Sequence, residues 1–366
     1  MAKRIRTDMG LFIVTLVLVG IGLVMVFSSS AIVASANPEF GNSAYYFLKR
    51  QAAFAAAGIV ALLLIMKFDY RKLRSPAVVF GLYGVTTALL VLVFFFGKMN
   101  GAHRWVRFAG MTFEPSELAK PVVVLFLAYF LESHLPRINE WRSTLRPAVA
   151  LPLAFTILIA AEPDLGTAAV CVALTVILLI VAGMRWRYLA YVAAASLPLF
   201  YFFVYCTPWR WKRLLAFINP YADPQGSGFH IIQSLIAVGT GGLTGLGLGE
   251  GKQKLFYLPE PQTDFIFAVI AEEWGLIGGV VVVVLFGILC WRGLRAAQHS
   301  RDNFARLLAA GLTAMIAVQA AFNIGVVLGM LPTKGIPLPF ISYGGSSVFI
   351  TLASMGVLLN ITQQTD

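Results

Sequence analysis

Phe265-Ile-Phe-Ala-Val-Ile-Ala-Glu272-Glu273-Trp-Gly275-Leu-Ile-Gly-Gly-Val-Val-Val-Val-Val-Leu-Phe-Gly-Ile-Leu-Cys290 is long and apolar enough to cross a bilayer as a helix. About 20 apolar residues suffice for one span, and this run carries only two charges, both near its start. A polar, proline-rich stretch precedes it, Tyr257-Leu-Pro-Glu-Pro-Gln-Thr-Asp264. A carboxylate at the mouth of a membrane helix is costly to desolvate, so Asp264 is the first candidate for chemistry.

Working outward, nine more runs qualify or nearly so: Leu11–Ser30, Gln51–Met66, Ala77–Phe96, Leu118–Leu131, Ala148–Ala161, Gly166–Gly183, Tyr188–Cys206, Leu307–Met330 and Ser347–Ile361. The expected fold is therefore all-α, a polytopic membrane protein of about ten transmembrane helices. Composition agrees: 59% of the 366 residues are hydrophobic and 12% charged, against roughly 25% charged in soluble domains. Residues 1–366 read as a single integral membrane domain. The Ala34-Ser35-Ala36 triplet resembles a signal-peptidase site, but the run before it is longer than a secretory h-region and reads as an uncleaved first helix.

With Lys3, Arg4 and Arg6 in the cytoplasm, alternate loops receive Lys67, Arg71, Lys72 and Arg74, then Arg137, Arg142 and Arg146, Arg185 and Arg187, and finally Arg292, Arg295, Arg301 and Arg306. This satisfies the positive-inside rule and places both termini inside. The net charge of +11 then reflects topology, not nucleic acid. The opposite face holds the long loops: 98–116, the Glu162-Pro-Asp164-Leu-Gly turn, 207–264 and 331–346. Function is expected there, on the extracytoplasmic side. Within 207–264, Phe229–Val238 is apolar but too short to span, which suits a re-entrant segment. Cys171, Cys206 and Cys290 read as packing residues without a disulfide, and the histidines form no metal motif.

Each candidate constellation has a structural reading beside its chemical one. Asp264 suits a helix cap as well as a catalytic base. Glu272 falls about 80° around the same helix from it, and structural ion pairs are the expectation for Glu272 and Glu273. Arg104-Trp105 precedes Phe113-Glu-Pro-Ser116-Glu117-Leu-Ala-Lys120, where Ser116 can cap a helix and Glu117 with Lys120 can form an ion pair or support a phosphate. Arg210, Lys212 and Arg213, interleaved with Trp209 and Trp211, suit interface anchors or a diphosphate clamp. Lys334 in Leu331-Pro-Thr-Lys-Gly-Ile-Pro-Leu-Pro339 can reach a phosphate, whereas Ser342 has no His or Asp partner in sequence to make it a nucleophile. The glycine-rich run Gly239–Lys252 fails as a nucleotide loop: the P-loop pattern needs Gly at 246 and Ser or Thr at 253, which are Leu and Gln. It reads as flexible backbone.

These motifs together resemble the FtsW/RodA (SEDS) family of cell-wall polymerases over nearly the whole chain, from Lys49-Arg50-Gln51 to Pro339-Phe-Ile-Ser-Tyr-Gly-Gly345-Ser-Ser347. The Lys334-Gly-Ile-Pro-Leu-Pro loop and Gly247-Leu-Gly-Glu-Gly-Lys-Gln-Lys254 look more like the FtsW branch than RodA. Two departures stand out, Gln262 where His is common and Glu114 where Gln is common. The resemblance implies an inverting peptidoglycan glycosyltransferase that polymerises lipid II, an undecaprenyl-diphosphate-linked disaccharide peptide, into β-1,4 glycan at the division septum. Asp264 would be the general base, with Arg104, Lys120, Arg210 and Arg213 toward the diphosphate and Glu117, Lys212 and Lys334 in support. A divalent cation, Mg2+ or Mn2+, near Asp164 or Asp264 is a further expectation, as are a class B penicillin-binding transpeptidase (FtsI-like) and other divisome membrane proteins as partners. The implied location is the bacterial inner membrane. Competing readings are a RodA-type elongation polymerase, a lipid II flippase and a non-catalytic divisome scaffold.

Overall fold

The computed structural model describes residues 7–97, 103–108, 111–255 and 257–364. Lys3, Arg4, Arg6 and the first part of the 98–116 loop lie outside them. Twelve α-helices follow in order among the described residues: α1 (Met9–Ala36), α2 (Tyr46–Ile65), α3 (Pro76–Leu92), α4 (Pro115–His134), α5 (Arg146–Ala161), α6 (Leu165–Val181), α7 (Trp186–Phe200), α8 (Pro208–Ile218), α9 (Phe229–Gly241), α10 (Ile266–His299), α11 (Asn303–Val327) and α12 (Gly345–Thr362). One two-stranded hairpin, β1 (Val106–Phe108) with β2 (Met111–Phe113), precedes α4. Eight helices, α1 to α5 and α10 to α12, are long and apolar enough to cross a membrane. At the other two expected positions α6 and α7 have 17 and 15 residues, and α7 is continued by a wide turn, Tyr201–Tyr205. Residues 34–36 remain helical at the end of α1.

Small residues let the spans approach closely. A side chain at Gly58 of α2 would collide with Leu352 of α12, and one at Gly356 of α12 would meet the backbone of Leu62. The arginine-rich end is stitched by polar contacts. Asp8 caps α1 through the Leu11 N–H and ion-pairs with Arg292 at the far end of α10. Asp302 caps α11 and accepts the Tyr70 hydroxyl at 2.6 Å. Gln363 donates to Thr7 at 2.9 Å. Cys171 is buried as expected of a packing residue, but Cys206 is exposed at the end of its run.

The long helix α10 is broken. Gly275 has φ 68° and ψ −164°, a conformation that an L side chain resists. The break frees backbone groups within the apolar bundle, where each costs several kcal/mol unless paired. The glycine-rich run pairs them: the N–H groups of Leu246 and Gly247 donate to the carbonyls of Glu272 and Glu273, and those of Leu276 and Ile277 donate to Gly242 and Leu243. Glycine is needed for the approach, since a Cβ on Gly245 would lie 2.1 Å from the Glu273 carbonyl oxygen. The run is thus docked, not free, which corrects the expectation of flexible backbone. Leu243, Leu246 and Leu248 between the glycines point outward and are exposed, as suits a loop turning in hydrocarbon. Together α9, this loop and residues 250–255 make a hairpin that runs along α10 to the break and turns back.

The two acidic residues beside the break hold that hairpin. Glu272 accepts the backbone N–H of Lys252 at 2.8 Å and of Gln253 at 3.1 Å. Glu273 accepts from Lys254 Nζ at 2.6 Å, Ser28 Oγ at 2.8 Å and the Gly249 N–H at 3.0 Å. The ion-pair expectation therefore holds for Glu273 alone; Glu272 serves main-chain donors and does not share the Asp264 site. Asp264 also does not cap α10. Phe265 occupies the cap position without a side-chain bond. Ser116 likewise lies inside α4, whose cap position is Glu114.

Candidate active site

At the end of the bundle opposite the arginine-rich loops, a cleft of about 360 Å³ opens between α8, α9, the start of α10 and the 333–335 loop. Asp264 lines it with Lys212, Arg213, Lys334, Trp209, His230 and Glu260. The chain is fixed on both sides of Asp264 through its backbone. Asn323 of α11 donates from Nδ2 to the Asp264 and Ile336 carbonyls, both at 2.8 Å. Ser342 Oγ donates to the Thr263 carbonyl at 2.5 Å and accepts the Leu338 N–H at 2.8 Å. The Tyr343 N–H donates to the Gln262 carbonyl at 2.8 Å. Gln51 completes the brace, donating to the Ser342 carbonyl at 3.0 Å and accepting the Gly344 N–H at 3.2 Å. Ser342 is thus committed to structure, in keeping with its rejection as a nucleophile.

The half-buried Asp264 carboxyl is pushed up to about 6, first by burial and then by the nearby charge of Glu260, against the pull of Arg104 and Arg213. Near neutral pH it is ionised, yet it holds a proton more tightly than a solvated aspartate. Lys334 is pushed down to about 8, chiefly by burial and by Arg210, Arg213 and Arg104, with Asp164 opposing.

Gly335 allows the cleft to close on the carboxylate. A Cβ there would sit 2.7 Å from Asp264 Oδ2. Because the obstructed atom is the tip of a rotatable side chain, the carboxylate would swing aside at little cost in stability. Gly335→Ala is therefore expected to leave the melting temperature nearly unchanged while lowering turnover by about 10²-fold, the penalty for misplacing a reacting group by about 1 Å. Parallel melting and turnover measurements check this.

The remaining candidates fall in three places. Arg210 packs on Trp209 at 5.1 Å and is not among the cleft-lining residues. Arg104, just before β1, donates from Nη2 to the Pro163 carbonyl at 2.7 Å and stands 4.0 Å from Asp164 Oδ1. Asp164 caps α6 through the Thr167 N–H at 3.2 Å. The start of α6 abuts the 335–336 loop: a Cβ on Gly166 would be 3.5 Å from the Gly335 carbonyl oxygen. Arg104 and Asp164 thereby stand behind the loop that carries Lys334, within electrostatic reach of both Asp264 and Lys334. Glu117 and Lys120 are deeper. Lys120 Nζ bonds Glu117 Oε1 at 2.7 Å and Gln319 Oε1 at 2.5 Å, all three side chains buried. This is the helix-joining alternative, tying α4 to α11, and their charges act at a distance on Glu114.

Sequence reasoning missed Asn323, Gly335, Glu260 and Glu162. An amide such as Asn323 inside an apolar span was itself a signal. Glu162 is fully buried, and neither of its carboxylate oxygens has a partner among the described residues. Burial, then Asp164 and Glu114, push it up to about 9, so it is protonated and neutral at pH 7. As for a divalent ion, no three His, Cys, Asp or Glu side chains among the described residues are gathered to hold one, and Asp164 is engaged in its cap.

Comparison with known proteins agrees with this architecture. The family model FTSW_RODA_SPOVE, described as cell cycle protein, matches residues 9–366. Stage V sporulation protein E of Bacillus subtilis is 42% identical over 362 residues, covering 99% of this chain and 98% of that protein. The probable peptidoglycan glycosyltransferase FtsW of Geobacter metallireducens is 41% identical over 358 residues, covering 98% and 95%. A solved chain from a study of structural coordination of polymerization and crosslinking by a peptidoglycan synthase complex superposes with a TM-score of 0.78 at 33% identity, covering 98% of each chain. The rod shape determining protein RodA of Thermus thermophilus superposes at 0.71 with 30% identity, covering 98% and 97%.

Proposed function

The chain belongs to the FtsW/RodA/SpoVE family, and from that premise we propose that the cleft around Asp264 is the active site of a peptidoglycan glycosyltransferase. The observation that carries the reading is one ionisable carboxylate of raised proton affinity, fixed through its backbone among cations at one end of a membrane bundle. The donor is lipid II, and the acceptor is the 4-hydroxyl of a second lipid II or of the growing strand. As that oxygen attacks C1 of the donor sugar, Asp264 takes its proton. The C1–O bond to the diphosphate breaks on the opposite face, and the diphosphate leaves with the electron pair. Inversion follows, giving the β-1,4 link.

Such a transfer needs a base near neutral pH and positive charge where the leaving group develops. Arg213, Lys212 and Lys334 line the same cleft as Asp264 and suit the diphosphate, with Arg104 behind Lys334. The amphipathic helix α8 brings Lys212 and Arg213 to the cleft while leaving Leu215 and Ile218 exposed. That placement suits a helix lying in the membrane interface, where the headgroup of a lipid-linked substrate lies.

The protein's place is the bacterial inner membrane, with the cleft on the extracytoplasmic side and septal synthesis as its task, consistent with its FtsW-named relatives. Its partner is a class B penicillin-binding transpeptidase, a reading supported by its likeness to a chain from a polymerising and crosslinking complex. A divalent ion that assisted the diphosphate would take most of its ligands from phosphate and water. The test is to reconstitute the protein with its transpeptidase, supply purified lipid II and resolve the glycan products. Strands of many disaccharides support the reading. Lipid II that changes leaflet without being polymerised would replace it with a carrier.

A further inference from the structure

The cations that suit a departing diphosphate also weaken Asp264 as a base. Positive charge stabilises a carboxylate and lowers its proton affinity. Asp264 shares its cleft with Lys212 and Arg213 of α8, His230 of α9 and Lys334 of the 331–346 loop, and it feels Arg104 from behind that loop. Asp164 at the start of α6 and Glu260 in the wall of the cleft supply the opposing charge. Asp164 is shared, since it caps α6 and stands beside Arg104. Glu260 caps no helix and ion-pairs with no cation among the described residues; its carboxylate accepts from Gln262.

We propose that Glu260 is a positioning residue of this site, held in the cleft wall by its own turn so that its negative charge offsets the surrounding cations and keeps Asp264 a proton acceptor. The inference rests on the glycosyltransferase reading and deepens it. Three observations place Glu260 there. It lines the same cleft as Asp264. Its backbone lies in the left-handed region, φ 48°, between Pro259 and Pro261. A non-glycine residue resists that conformation and persists in it where the surroundings impose it, often at functional sites. Finally, its neighbours hold it: Thr263 donates from N–H at 3.2 Å and from Oγ1 at 3.3 Å to the Glu260 carbonyl, and Gln262 Nε2 donates to Glu260 Oε2 at 3.3 Å. The turn spans the four residues before Asp264, so the distance between the two acids is built into the local chain. Glu260 also opposes Asp264's ionisation more than any other neighbouring charge.

The test compares the pH dependence of kcat/KM for lipid II polymerisation by the assembled complex, wild type against Glu260→Gln. Loss of the charge is expected to move the acid limb to lower pH by about half to one unit and to slow turnover near pH 7, because a weaker base accepts the proton less readily. Glu260→Asp keeps the charge and is expected to return the limb most of the way. Gln262→Leu, which frees the Glu260 carboxylate, is expected to move it less and in the same direction. A limb unmoved in both Glu260→Gln and Gln262→Leu overturns the proposal, as does a loss of rate in Glu260→Gln that Asp does not restore. Should Glu260→Gln fail to assemble, Gln262→Leu and Glu260→Asp decide by the same criterion. Failure of the underlying reading has a separate signature, full activity of Asp264→Asn in the same assay.

Discussion

Asp264→Asn is expected to lower glycan polymerisation by about 10²–10⁴-fold, the usual worth of a general base. The acceptor hydroxyl then loses the one cleft carboxylate that is both half-buried and clamped through its backbone; Glu260, the other, stands exposed to solvent. The fold is expected to survive. Asn323 grips residue 264 by its carbonyl oxygen, and Ser342 grips Thr263 by its own, so the side chain carries none of the clamp. Substrate affinity should hold or rise slightly, because a negative charge near the diphosphate is removed. Turnover and KM of the purified complex, read beside its melting temperature, check all three statements. A large rise in KM with unchanged kcat would assign Asp264 to binding instead.

Lys254→Met is expected to destabilise the bundle by about 3–5 kcal/mol, the cost of leaving one member of a buried ion pair unpaired. Lys254 and Glu273 are both nearly inaccessible, and their pairing ties the returning arm of the hairpin to the broken helix. Without the ammonium, Glu273 keeps only Ser28 and the Gly249 N–H. The double change Lys254→Met with Glu273→Gln is expected to recover most of the loss, because the amide oxygen still accepts from Gly249 and no charge is stranded. Unfolding of the single and double variants in mixed detergents measures the difference. The single variant is also expected to lose activity, since that arm leads through residues 255–263 to Asp264.

Eight of the ten expected spans were legible because hydrocarbon demands long uninterrupted apolar runs; the other two runs give helices of 17 and 15 residues, α6 and α7. Asp264 was legible for the converse reason, a charge where charge is expensive. The break in α10 was not. Gly275 sits in an apolar run that already contains Gly278, Gly279 and Gly287, and nothing local marks it as the one that leaves the helix. What marks it is the run 242–249, whose N–H and C=O groups fit the gap only after the chain has turned back on itself. The same holds for Glu273 and Lys254, or Asn323 and Ile336, whose meeting is a matter of packing. Local pattern also misplaced two caps. Ser116 and Asp264 have the right chemistry, but Pro115 starts its helix one residue after Glu114, and α10 begins only after Phe265. Lys120 had the charge for a phosphate and lies too deep to meet one directly.

The most direct test of Asp264 as the proton acceptor is the pH profile of kcat/KM for lipid II polymerisation by the wild-type complex. The account predicts a bell. Its acid limb lies near pH 6, where Asp264 gains a proton as pH falls and can no longer accept one. Its basic limb lies near pH 8, where Lys334 loses its charge as pH rises. Lys334→Arg is expected to carry the basic limb out of range, since guanidinium stays charged. A rate that stays flat from pH 5 to 7, or an acid limb near 4 where an ordinary solvated aspartate titrates, would contradict the account.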